Sequence, residues 1–78
     1  MSRAMEELGR YRCMGDDGTA LTVVEYRHIF TSSDGGTVRR QHGARWLALL
    51  DGEPVRHIDS ATFEVVASGE LLRREAAG

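Results

Sequence analysis

Ala20-Leu21-Thr22-Val23-Val24-Glu25-Tyr26-Arg27-His28-Ile29-Phe30 is the stretch on which the fold turns. It is dense in β-branched and aromatic residues, which suit a pleated, half-buried surface, and it reads as a strand. Alternation places Leu21, Val23 and Ile29 on one side and Val24, Tyr26 and Phe30 on the other. Both sides are therefore apolar, although a small sheet ordinarily keeps one face wet.

Punctuation on either side sets the rhythm. Asp17-Gly18, Asp34-Gly35 and Asp51-Gly52 recur at even spacing, and Ser68-Gly69 adds a fourth break. Asp-Gly between apolar runs marks a hairpin, because a type I′ turn needs positive φ at both central residues. The intervening segments read as strands over Arg10–Gly15, Ala20–Phe30, Thr37–Leu50, Val55–Ile58, Thr62–Ala67 and Glu70–Arg74, with a bulge or bend expected at Gly43. Ala44–Leu50 is also rich in helix formers, but the turn that follows at once favours strand. The expected fold is mainly β: a small antiparallel meander of five or six strands, rolled into an SH3-like barrel or left as an open curled sheet. One short N-terminal helical turn is expected within residues 1–9, N-capped by Ser2 and closed by Gly9, with Glu6 and Glu7 inside it. Residues 75–78 are expected to fray.

Seventy-eight residues make a single domain. Cores of this size supply only about 3–5 kcal/mol without staples. Cys13 is the sole cysteine, and one Cys with three scattered His (His28, His42, His57) forms no finger-like ligand set, so disulfides, metals and cofactors are not expected. Oligomerisation remains as a source of stability, which points to a homodimer. A single unpaired cysteine suits a reducing cytoplasm. The N-terminus lacks a signal-peptide pattern, and no apolar run approaches the roughly 18–20 residues of a membrane span.

The segment Gly43-Ala44-Arg45, Leu50-Asp51-Gly52-Glu53-Pro54-Val55, Ile58-Asp59, Thr62-Phe63-Glu64-Val65-Val66 and Gly69-Glu70 resembles small uncharacterised proteobacterial β-rich proteins. The resemblance covers the C-terminal two-fifths of the chain and implies a compact β domain. It brings no activity and no functional residues.

Catalytic chemistry finds little footing. Cys13 sits between Arg12 and Met14 with no local base, which suits a buried apolar residue. His57 and Asp59 are two apart, on the same side of a strand, but Asp59 is better placed to cap the Ser60-Ala61 turn. Asp16-Asp17-Gly18 lacks the alternating acids of a calcium loop, and Gly35-Gly36 lacks the context of a phosphate loop. The chain reads as a non-enzyme.

Arg39-Arg40-Gln41-His42-Gly43-Ala44-Arg45-Trp46 is the most distinctive local feature. Arginines beside an indole could grip phosphates and stack a base. Alternation, however, puts Arg40 and His42 on one face and Arg39 and Gln41 on the other. A net charge of −2 also disfavours a nucleic-acid domain. All ten basic residues are arginine and asparagine is absent as well, a joint bias that fits GC-rich codons better than a phosphate-binding design. Turn acids Asp16, Asp17, Asp34, Asp51 and Glu53 raise the mirror alternative, a phosphate mimic that blocks a nucleic-acid enzyme. The leading expectation is a β-rich protein-binding module, an adaptor or a phage-type inhibitor. Its contact surface is Tyr26, Phe30 and Trp46, rimmed by Arg39, Arg40 and Arg45.

Overall fold

The computed structural model describes residues 2–75. The chain forms β1 (Ser2–Met14), β2 (Ala20–Asp34), β3 (Thr37–Leu49), β4 (Pro54–Asp59), β5 (Thr62–Val65) and β6 (Leu71–Arg74). Each strand pairs antiparallel with its chain neighbour, and β1 pairs with β6, so the meander closes into a barrel. Closure removes the open-curled-sheet alternative. At the seam Cys13 faces Arg74 and Met14 faces Arg73, and the Glu75 N–H extends it by donating to the Arg12 carbonyl at 2.8 Å.

The expected N-terminal helical turn is instead strand. Ser2 to Glu7 pair in register with Thr31 to Tyr26, and the ladder resumes at Gly9 opposite Glu25 after a bulge at Leu8. The segment is rich in helix formers, but a helix this short is not stable on its own. Lying along β2 instead satisfies an edge that a helical turn would leave bare. Residues 76–78 of the expected frayed tail lie outside the described residues.

Glycine sets the turns in two ways. Gly35 (φ 58°) and Gly36 (φ 85°) both take positive φ between Asp34 and Thr37, which face each other at the end of the ladder. The type I′ turn is thus built on Gly35-Gly36, and Asp34 stays in the strand. At the other two Asp-Gly sites only the glycine is left-handed. The Gly18 N–H donates to the Gly15 carbonyl and the Gly52 N–H to that of Leu49, three residues back in each case. Asp17 Oδ1 accepts from the Thr19 N–H and Asp51 Oδ1 from the Glu53 N–H, locking both turns in the same way.

The first three strands are 13, 15 and 13 residues long, the last three 6, 4 and 4. Fifteen residues at strand rise cover about 50 Å, close to the molecule's long dimension in its 55 × 29 × 20 Å envelope. The barrel therefore occupies one end, and the distal parts of β1, β2 and β3 project from it as a three-stranded arm. The core lies in the barrel: Cys13, Val23, Val55, Phe63, Val65 and Leu72 are buried together, with Tyr11, Leu21, Leu47 and Leu49 packed against them. The second apolar face is partly covered within the chain, since the cross-strand neighbours Val24 and Ala48 are also buried.

Candidate functional site

The arm carries the residues singled out from sequence, and its register divides them between two faces. Tyr26 faces Trp46 across β2 and β3, Phe30 faces Gln41 and Ser32 faces Arg39. Arg27 faces Arg45, Ile29 faces His42 and Thr31 faces Arg40. The first set shares one face of the arm and the second set the other. Arg39 therefore lies on the aromatic face, while Arg40 and Arg45 lie on the opposite one. All three arginines are exposed, and Tyr26, Phe30 and Trp46 are half-buried.

The aromatic face is a continuous ridge. Tyr26 stacks on Trp46 with ring centroids 5.2 Å apart, Trp46 stacks on His28 at 4.3 Å, and His28 meets Phe30 at 6.0 Å. His28, weighed from sequence only as a ligand or base, is the link that joins Phe30 to the other rings. Strand alternation with Tyr26 and Phe30 was the signal for it. Gly43 makes the ridge possible. Two residues of β3, Gly43 and Ala44, stand against His28 alone in a bulge. A Cβ at Gly43 would lie 2.6 Å from the Phe30 ring and 3.1 Å from the His28 Cβ. The missing side chain lets the Phe30 ring settle over the β3 backbone.

Where the arm meets the barrel, β3 and β4 pair only through Leu47–Val55 and Ala48–Pro54 and then diverge. A cleft of about 400 Å³ opens between them, lined by Glu25, Arg45, Trp46, Val55, Arg56 and His57 among others. Its charges already answer one another. The Tyr11 hydroxyl donates to Glu25 at 3.1 Å, Arg45 stands 4.0 Å from the same carboxylate, and Arg56 pairs with Glu64 at 2.6 Å. Burial, and then the Glu25 carboxylate it donates to, hold the Tyr11 phenol above its ordinary value. On the far side of Tyr11 the Arg74 guanidinium lies 4.4 Å from the ring centroid.

The remaining candidates are scattered. Cys13 is fully buried, and desolvation raises its thiol above the ordinary value. His57 stacks on the core ring of Phe63 at 5.3 Å, and His42 lies on the far face of the arm from His28. Asp59 Oδ1 accepts the Ala61 N–H at 2.8 Å, so its carboxylate serves the turn. Among the described residues, no three His, Cys, Asp or Glu side chains come together as metal ligands. The turn acids divide as well, with Asp17 at one end of β2 and Asp34 at the other.

Among the described residues, the arm leaves two strand edges open. Below Arg12, β1 pairs there only with β2, and from Trp46 toward the arm tip β3 also pairs only with β2. Along β3 the open edge runs from Thr37 to Trp46 beside the ridge, and the chain from Gly35 to Leu50 contains no acid. No family model, curated protein or solved structure matches this chain.

Proposed function

We propose that the chain is a non-enzymatic binding module that takes an extended, acidic protein segment as an added strand along β3. The observation that carries this reading is the open β3 edge, with arginines on both of its faces and the ridge on one. Side chains of an added strand alternate between the two faces of a sheet. Acids on one face of such a segment meet Arg39, and acids on the other meet Arg40 and Arg45. Apolar residues on the ridge face lie against Phe30, Trp46 and Tyr26. Main-chain hydrogen bonds supply affinity, and the alternating side chains supply choice.

The same placement weighs against nucleic acid. A phosphate backbone calls for cations gathered on one track, and here they are split between faces. Base stacking calls for an open ring face, but the Trp46 indole already stacks on both Tyr26 and His28. For a phosphate mimic, the five turn acids do not form one surface, since Asp34 stands at the arm tip, at the opposite end of β2 from Asp17.

The test uses three labelled probes at low salt: an alternating Glu-Val peptide, its Lys-Val counterpart and a thymidine oligonucleotide. Fluorescence anisotropy should show binding of the Glu-Val peptide alone, weakening with salt and accompanied by a change in the emission of Trp46, the sole tryptophan. Exchanging Arg39 and Arg40 together for Glu should weaken binding by about tenfold or more. Equal binding of the two peptides, or tighter binding of the oligonucleotide, overturns the proposal.

A further inference from the structure

The second open edge has a different chemistry. On β1, Arg3, Met5 and Glu7 face Phe30, His28 and Tyr26, so they flank the ridge on its own face. Ala4 and Glu6 point the other way, and Glu6 is held by Arg27 at 2.7 Å. Arg3 and Glu7 are exposed, and Met5 is 62% exposed although it stands beside a row of aromatic rings. Read outward from Met5, this face carries a cation two residues before and an anion two residues after. That order is complementary to itself when reversed.

We infer that β1 is the dimerisation edge, and that its occupant is β1 of a second copy, antiparallel and centred on Met5. About that two-fold, Arg3 of each copy stands directly across from Glu7 of the other, and the two Met5 side chains meet. Opposed charges and apolar side chains in register are what stabilise cross-strand neighbours. An isologous contact of this kind closes after two subunits, leaving β1 no edge on which to continue. The β3 edge fails the same test, because in two antiparallel copies of it the arginines find no acid opposite them in any register.

Pairing at β1 joins the two arms into one six-stranded sheet, in the order β3, β2, β1 and then β1, β2, β3 of the second copy. A two-fold perpendicular to that sheet keeps both ridges on one side, bridged by the paired Met5 side chains. Glu7 gives up little in the exchange, since its present partner, Arg10 at 3.0 Å, forms an exposed pair of the kind that contributes little. The inference stands apart from whatever β3 binds.

Sedimentation equilibrium of the full chain at low salt tests it. The apparent mass should rise from one to two chains with concentration. Arg3→Glu and Glu7→Arg, each of which sets like charges across the seam, should separately weaken dimerisation by roughly tenfold or more. Their equimolar mixture should recover a heterodimer, since one variant then offers Glu at both positions and the other Arg at both. Circular dichroism melts of the single variants should match the parent chain at concentrations where the parent is monomeric, because both side chains are exposed, and should fall below it where the parent dimerises. A monomer at every concentration overturns the inference. So does a mixture that fails to recover the dimer, or a dimer that Arg39→Glu disrupts and Arg3→Glu does not.

Discussion

Gly43 shows how much can depend on an absent side chain. Replacing it with Ala drives a methyl into the Phe30 ring and the His28 Cβ, and the latter cannot move without shifting β2. Gly43→Ala should cost about 1–2 kcal/mol, read as a Tm lower by about 5–15 °C. The change should also perturb Trp46 emission, since Phe30 and His28 belong to the same stack. A Tm unchanged by the substitution would show that Phe30 does not rest on the β3 backbone. Cys13 offers an independent check on the barrel. A fully buried thiol, held protonated by desolvation, should resist alkylation at neutral pH and react only on unfolding. Rapid labelling of the native protein would place Cys13 outside the core.

At the scale of the strand, β2 to β6 were readable from sequence because turn chemistry and β-branched runs agree there. Two ends differ: β2 runs past the expected Phe30 to Asp34, where Thr31, Ser32 and Ser33 pair with Arg40, Arg39 and Val38, and β5 stops at Val65, short of the expected Ala67. Asp17, Asp51 and Ser68 each place a side-chain oxygen on a backbone N–H two residues on, so the turns fall where the sequence puts them, although Asp17 and Asp51 lack the positive φ of a type I′ turn. The distal half of β1 was not readable. Ala4, Met5, Glu6, Glu7 and Leu8 favour helix locally, and only the long-range ladder to β2 overrides that preference. The ridge was half readable: alternation puts Tyr26, His28 and Phe30 on one face, but nothing in the spacing says that the Trp46 ring of the neighbouring strand stacks on both Tyr26 and His28. The turns also set the acid response. The Thr19 hydrogen bonds hold the Asp17 carboxyl below its ordinary value, and the Ala61 N–H does the same for Asp59. A carboxyl lowered in the folded state contributes stability that is complete above its unfolded pKa and is lost as pH falls through the folded one. Melting temperatures should therefore hold at neutral pH and fall below about pH 4. Asp59→Asn should flatten part of that fall; an identical slope in the variant would mean that the Asp59 cap does not form.

For the molecule as a whole, the division into barrel and arm has measurable consequences. A compact chain of this length has a radius of gyration of about 11.5 Å, whereas this one reaches 15.7 Å. Small-angle scattering of dilute protein should return the larger value, and a value near the compact one would mean that the arm folds back. Hydrogen exchange should divide along the same line. Amides of Val23, Phe63 and Leu72 lie in the core and should be the slowest, while those of Val38 to Gln41 should open locally and exchange first. Uniform protection along β3 would contradict an arm held only through β2.

The Gly35-Gly36 turn lies beyond the last ring of the ridge, and this makes the arm's length a variable of its own. Strand pairing tolerates change in steps of two: removing Ser33 and Asp34 with their partners Val38 and Thr37 would draw the tip inward and leave Phe30, His28 and Trp46 where they stand. A one-residue deletion from β2 inside the arm would instead turn every side chain beyond it to the opposite face, carrying Phe30 away from its glycine. Reach and grip are thus separately adjustable, reach by paired edits at the tip and grip by the parity of the residues behind it.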